Sequence, residues 1–229
     1  MNMEARQTDT PHSYSRWERF QNWLYYHKLW LIVAAVLLWI GGTMVWNLLG
    51  IGKTEPDYRF AYVGSAPLPE DCVAALETQL ATLGEDLNGD GSVVVTLQQH
   101  VTGSGADEET ALAYGYAASV TLMADLTDEE SCFFLLEDPE AFQLDYQILA
   151  DADGEMPESG DFSVEGKAWR WEDCPVLAGL ELGSGADGAY QSLLASLYVG
   201  MRCYYQPERV PAWEQYRSYW NTMIAGAIS

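Results

Sequence analysis

Histidine and basic residues are scarce in this chain of 229 residues, which holds three histidines and 11 lysines and arginines against 34 aspartates and glutamates. After residue 53 the one histidine is His100, so a Ser-His-Asp or Cys-His catalytic site would depend on it entirely. The chain also lacks G-x-S-x-G, H-E-x-x-H and P-loop motifs. The sequence therefore predicts a protein that is not an enzyme. The alternative is an acidic-site hydrolase, but no pair of carboxylates is singled out.

Positive charge is almost missing from the larger part of the chain. From residue 54 onward there are six basic and 31 acidic residues, which gives a net charge of −25. Such a domain repels nucleic acid and anionic lipid head groups, and it suits cations, basic partners or neutral solutes. Solubility on a crowded exterior explains the same excess of acid.

Cysteines are few, and none of them has C-x-x-C spacing, which argues against a zinc or thioredoxin-like site. All four lie after the hydrophobic run of the chain, in or beside apolar stretches: Cys72, Cys132, Cys174 and Cys203. Two disulfides outside the membrane and four buried free thiols both fit this placement.

Residues 29–52 form a hydrophobic run of 24 residues without a charge. As a helix at about 1.5 Å per residue it exceeds the ~30 Å hydrocarbon core of a bilayer. No small-residue cleavage site follows, so the run predicts a transmembrane signal-anchor. Basic residues flank its N-terminal side and place residues 1–28, with an amphipathic juxtamembrane helix, in the cytoplasm. The rest of the chain is then extracellular, on a single-pass anchor in the cell membrane.

The outer part predicts one α/β domain over residues 58–229, after a linker of residues 53–57. Short apolar strands alternate with helices in the order β-α-β-α-β-α, followed by a strand and a closing helix. Such strands suit a mostly parallel sheet covered by helices on both faces, in three layers. Three helices carry apolar stripes: Leu68, Cys72, Leu76, Leu80 and Leu83; Leu112, Tyr116, Ser119, Leu122 with Met123, and Leu126; and Trp213, Tyr216, Trp220 and Met223.

The segment of residues 86–92 matches the start of an EF-hand calcium loop. Its candidate ligands are Asp86, Asn88, Asp90 and Ser92. The bidentate Glu of that loop is replaced by Leu97, and a tight Asn-Gly-Asp-Gly turn between helix and strand explains the same residues. Residues 151–155 form a weaker acidic loop of this kind.

Trp169 and Trp171 follow each other at strand spacing, so both indoles are expected on one face. Such a pair stacks on a sugar ring or covers a sheet face, and both readings stay open.

Two resemblances extend these predictions. Five consecutive segments resemble one lobe of the extracellular solute-binding proteins of ABC importers: residues 59–63, 68–83, 93–97, 110–126 and 133–138. Three short motifs are similar to those of single-pass membrane proteins of Gram-positive-type bacteria: residues 25–28 (YYHK), 56–58 (PDY) and 86–91 (DLNGDG). The first resemblance implies an α/β lobe with a binding role, and it carries over no particular binding residue.

The predicted function is therefore a membrane-anchored extracytoplasmic domain that binds a solute or an envelope protein. The alternative is a structural or assembly subunit of a membrane complex. The expected partners are the lipid bilayer, through residues 29–52, and a neighbouring membrane or envelope protein, with no nucleic acid.

Overall fold

A computed structural model of the chain describes residues 16–48, 55–103, 108–158, 160–186 and 188–227. The chain divides into two compact units, Met1–Lys53 and Thr54–Ser229, and each is described by itself. The predicted head before residue 16, the last four residues of the predicted membrane segment and the first two of the linker lie outside the described residues.

The first unit holds one continuous helix, α1 (Arg16–Leu48), of 33 residues. It joins the predicted juxtamembrane helix and the hydrophobic run without a break. Every residue of α1 whose exposure is described is exposed to solvent, including Trp30, Leu38 and Trp39. Within the described residues, no helix has both the length and the apolar character needed to cross a membrane.

The second unit alternates strands and helices, as the hydrophobic pattern predicts. Its strands are β1 (Tyr58–Gly64), β2 (Val95–Val101), β3 (Phe133–Leu136), β4 (Ala168–Arg170), β5 (Ser184–Gly185), β6 (Gly188–Ala189) and β7 (Tyr198–Met201). Its helices are α2 (Glu70–Ala81), α3 (Glu108–Asp128), α4 (Pro139–Tyr146), α5 (Pro175–Ala178), α6 (Tyr190–Leu194) and α7 (Trp213–Met223).

Five strands form one mixed sheet in the order β2-β1-β3-β7-β4. β2, β1 and β3 are parallel to one another, and β7 pairs antiparallel with both β3 and β4. Four of the five strands therefore run in one direction, so the sheet is mostly parallel. A separate two-stranded hairpin joins β5 and β6.

Helices cover both faces of the sheet, because successive residues of an interior strand point to opposite sides. On one face the side chains of Phe60 and Phe133 join a core with α2 and α7. On the other face, Ala61 and Phe134 join a smaller core with α3 and α4. This arrangement confirms the predicted α/β class.

Stacked aromatic rings fill the larger core. The Tyr58 and Tyr219 rings lie 4.1 Å apart and nearly parallel, and Phe60 stacks on Phe133 at 5.0 Å. Trp220 of α7 is fully buried and donates its indole N–H to the Ala152 carbonyl. The predicted stripes of α2 and α7 pack in this core, with Tyr216 and Leu83 partly buried at its margin.

The predicted stripe of α3 is divided between buried and exposed positions. Leu122 and Leu126 are buried, whereas Leu112, Tyr116 and Met123 are exposed. The face that meets the sheet is completed by small residues, since a Cβ on Gly115 would lie 3.0 Å from the Thr102 carbonyl oxygen. A prediction based on the spacing of large apolar residues does not detect this contact, because the contact requires a small residue.

All four cysteines are free and buried. Of the two readings of their placement, the structure therefore supports buried thiols. Burial raises the pKa of the Cys174 thiol to about 11, and it also raises that of Cys72. A raised pKa disfavours the thiolate form, which is the reactive one.

Candidate functional site

The carboxyl ends of β1 and β3 lie side by side where the order of the sheet reverses. The chain passes from β1 to β2 on one side and then crosses back to β3 on the other. In open α/β sheets, ligands bind outside the carboxyl ends of the strands at such a switch point. By this analogy of fold, the residues that follow β1 and β3 form the candidate site.

Backbone and side-chain bonds tie these two strand ends together. The Ser65 hydroxyl donates to Glu137 Oε1 at 2.8 Å, and the Ser65 N–H donates to Glu137 Oε2. The Glu137 N–H in turn donates to the Val63 carbonyl at 3.0 Å. Glu137 therefore links the end of β3 to the end of β1.

Gly64 ends β1 at a point where no side chain fits. A Cβ there would lie 2.2 Å from the Tyr62 hydroxyl oxygen and 3.0 Å from Glu137 Oε2. The hydroxyl is held in place because it donates to the Ala66 carbonyl at 2.8 Å. The close approach of these groups shapes the rim of the site.

The N-terminus of α4 forms the facing wall. Asp138 caps the helix by accepting a hydrogen bond from the Ala141 N–H at 2.9 Å, and Pro139 occupies the first turn. Both choices are typical of a helix start. The cap places Glu140 and Asp145 of α4 along the same wall.

The space between these elements is a cavity of about 770 Å³, which we call the carboxyl-edge cleft. Its lining combines strand ends, α3 and α4: Val63, Gly64, Ser65, Thr102, Ser119, Leu122, residues 137–142, Asp145, Tyr146, Val164 and Tyr198. Among these described residues four are acidic and none is basic. The cleft is therefore electrostatically suited to a cation.

Two tyrosines of the cleft region stay protonated at neutral pH. Burial, reinforced by the charge of Glu137, raises the pKa of Tyr62 to about 12. Burial also raises the pKa of Tyr146, with a contribution from Asp145. Both phenols therefore stay neutral, and that of Tyr62 donates a hydrogen bond to the Ala66 carbonyl.

Gly64→Ala should reduce the stability of the second unit by about 1–3 kcal/mol, since overpacking at a fixed contact forces backbone or side-chain shifts. Urea unfolding followed by tryptophan fluorescence measures the change. Ser65→Ala is the matched control, because it alters the neighbouring exposed residue and removes one hydroxyl bond. An unchanged midpoint for Gly64→Ala would show that the strand end relaxes freely.

A second cavity, of about 700 Å³, lies at the opposite edge, where β1 and β3 begin. Its lining mixes charges of both signs, with Arg59 and Arg209 beside Asp128, Glu129 and Glu130. Arg59 approaches Glu130 at 3.8 Å. Because side chains of both signs line this cavity, it is less suited than the carboxyl-edge cleft to a ligand of one charge.

The predicted calcium loop lies at that same edge, before β2. Its side chains bond its own backbone: Asp86 accepts from the N–H groups of Gly89 and Gly91, and Asp90 accepts from Ser92. The bonds from Ser92 hold the pKa of Asp90 below its usual value. Asn88 Oδ1 likewise accepts from the Asp90 N–H.

This geometry is that of a turn stabilised by its side chains. Among the described residues, no group of three or more His, Cys, Asp or Glu side chains is placed to hold a metal ion. Calcium binding by Asp86, Asn88, Asp90 and Ser92 stays a prediction.

Trp169 and Trp171, the two residues predicted to stack on a sugar, differ in how far they are buried. Trp171 is 1% exposed and donates its indole N–H to Gln191 Oε1 at 2.7 Å, so it is a core residue. Trp169 is partly buried and meets Trp220 edge-on at 5.3 Å. A sugar would reach only the exposed part of Trp169, and sugar binding there stays a prediction. Neither indole lines the cleft.

His100 lies inside the domain, with 1% of its side chain exposed. Its Nε2 lies 3.2 Å from Asp125 Oδ2, and its Nδ1 lies 3.2 Å from the Thr121 hydroxyl. The Ser131 hydroxyl donates to Asp125 at 2.8 Å. In this cluster the carboxylate stands between the serine and the histidine, whereas a Ser-His-Asp triad has the histidine in the middle.

Motifs do not reveal the residues of the cleft, because they come from six separate segments of the chain. A signal was present in the sequence: the small pair Gly64-Ser65 and the acidic pair Glu137-Asp138 each end a predicted strand. Comparison of the chain with protein-family models, with curated proteins and with solved structures gives no match.

Proposed function

We propose that the second unit is an extracytoplasmic, non-enzymatic domain that binds a small organic cation in the carboxyl-edge cleft. The position of the cleft at the switch point between β1 and β3 carries the proposal. The proposal agrees with the resemblance to one lobe of the solute-binding proteins. A volume of about 770 Å³ falls in the range of small-molecule sites.

Charge selects the class of ligand. Glu137 and Asp138 already hold Ser65 and the start of α4, so they contribute mainly through their field. Glu140 and Asp145 are exposed on the wall of the cleft and are free to meet an ammonium group. Tyr146 supplies an aromatic ring beside them.

The proposed membrane location rests on residues 29–52, a run without charge that ends beyond the described residues. With this anchor, the N-terminus is cytoplasmic and the acidic unit is extracellular. A helix with exposed apolar residues on all sides needs lipid or protein around it. The same property favours the second candidate function, a subunit of a membrane complex that pairs through α1.

Choline and spermidine are suitable probes for the cleft. Choline should raise the melting temperature of the full chain in non-ionic detergent, whereas its neutral isostere 3,3-dimethyl-1-butanol should not. Asp145→Asn should weaken choline binding about tenfold, equal to about 1.4 kcal/mol. Isothermal titration calorimetry on the same preparations gives the affinities.

The matched control is Asp153→Asn, which removes one exposed carboxylate from a loop outside the cleft. It should leave choline affinity within about twofold. Equal losses in the two variants would show that the cation senses only the overall charge. The absence of binding by either probe would count against the cleft as a cation site.

A further inference from the structure

α3 presents an apolar face that no other part of the described second unit covers. Four large side chains form this face, here called the α3 stripe: Leu112, Tyr116, Val120 and Met123. They are 69%, 75%, 52% and 52% exposed. Their spacing of four, four and three residues places them along one side of the helix. Leu122 and Leu126 are buried on the adjoining side of the helix.

The part of α3 that carries the stripe has no charged side chain. Residues 110–124 contain no acidic or basic residue, in a part of the chain whose net charge is −25. A contiguous apolar patch of this kind is typical of an interaction site. Exposed alanines at positions 113, 117 and 124 form a row beside the stripe, so that a second helix can approach closely.

Charge identifies the occupant. A basic partner would bind to one of the many acidic surfaces, where electrostatic attraction is strongest. Two copies of this chain repel one another everywhere except where both surfaces are uncharged. A two-fold contact uses the same patch on both copies, so the patch must complement itself, as an uncharged apolar stripe does.

The stripe has a definite place within the second unit. The chain enters the second unit at Asp57, at the edge of the sheet where β1 begins. α3 begins near the opposite edge, because it follows the carboxyl end of β2. Leu112 and Tyr116 therefore lie toward the end of the unit that is remote from the point of entry.

We propose that two copies of this chain pair through their α3 stripes. The inference is independent of the ligand of the carboxyl-edge cleft. Acidic groups lie at both ends of the helix, at residues 107–109 and 128–130. In a parallel or an antiparallel pair the acidic ends of the two helices come near one another, so repulsion opposes pairing and salt relieves it.

Sedimentation velocity of the full chain in non-ionic detergent tests the proposal. The dimer should strengthen between about 0.05 and 0.5 M NaCl, since screening removes repulsion between the acidic copies. Tyr116→Glu places a charge in the centre of the contact and should weaken the dimer about tenfold or more. The matched control is Tyr114→Glu, which introduces the same group two residues away.

Tyr114 is 57% exposed and points to a different side of α3, so its replacement should change the dimer constant less than about twofold. If Tyr116→Glu lowers the melting temperature, Tyr116→Ser replaces it in the comparison. A dimer that both Glu variants retain, a dimer that salt weakens, or a chain that stays monomeric at about 100 µM in high salt would each overturn self-pairing. The last result would leave the stripe to a different protein or to lipid.

Discussion

Asp57→Ala should destabilise the second unit by about 3–5 kcal/mol and lower its melting temperature by roughly 10 °C. Asp57 is 4% exposed, and its carboxylate accepts three backbone hydrogen bonds. Leu87 and Asn88 donate to Oδ1 at 2.8 and 3.2 Å, and Val94 donates to Oδ2 at 2.8 Å. Removal of the carboxylate leaves these three donors without their acceptor.

Two variants make the measurement specific. Asp57→Asn keeps an acceptor oxygen and the shape of the side chain, so it should lose clearly less stability than Asp57→Ala. Asp86→Ala also removes a carboxylate that accepts two backbone bonds, but at an exposed turn where water replaces it, and the melting temperature should hardly change. Similar losses for Asp57→Ala and Asp86→Ala in thermal unfolding would contradict the role of burial.

Asp125→Ala should cost about 3–5 kcal/mol at neutral pH, because it breaks a buried pair and leaves its partners unsatisfied. Asp125 accepts from the Ser131 N–H and hydroxyl, both at 2.8 Å, and lies against His100. Asp125→Asn has nearly the same volume and should lose less. Urea unfolding of the three proteins across pH gives the comparison.

The pH dependence has a definite sign. Burial opposes the ionisation of Asp125, but the hydrogen bonds from His100 and Ser131 outweigh it and hold the pKa of this carboxyl below its usual value. A lowered pKa in the folded state stabilises the fold above the unfolded pKa of about 3.9. The advantage of the wild type over Asp125→Ala should therefore persist at neutral pH and shrink as the pH falls below about 4. If the difference in stability between the wild type and Asp125→Ala stayed constant down to pH 2, the lowered pKa of Asp125 would be contradicted.

The sequence predicts those elements whose side chains pack in a simple period. β1 (Tyr58–Gly64) is the strand predicted at the start of the domain, and the stripe of Cys72, Leu76 and Leu80 in α2 is confirmed. The strand predicted before the closing helix is β7 (Tyr198–Met201), and it runs antiparallel to both of its neighbours. Strand direction depends on how the chain returns to the sheet, which composition does not record.

Long-range bonds explain most of what the sequence leaves open. The PDY and DLNGDG motifs, which are separate in the sequence, belong to one structure, because the carboxylate of Asp57 holds the backbone of Leu87 and Asn88. The apolar pattern of α3 also does not predict that Asp125 is buried. Its burial depends on the hydrogen bonds with His100 and Ser131. The carboxyl-edge cleft needs the strand order, which no local pattern contains.

The interior position of β1 has a consequence for the order in which the domain can assemble during synthesis. β1 is made first, yet one neighbour, β2, follows after α2, and the other, β3, follows only after α3. Until residues 133–136 have left the ribosome, one edge of β1 has no partner to accept its amides and carbonyls. An unpaired apolar strand is prone to aggregate. The nascent chain therefore passes through an interval in which α2 and β2 alone protect β1, and the speed of translation through α3 sets its length.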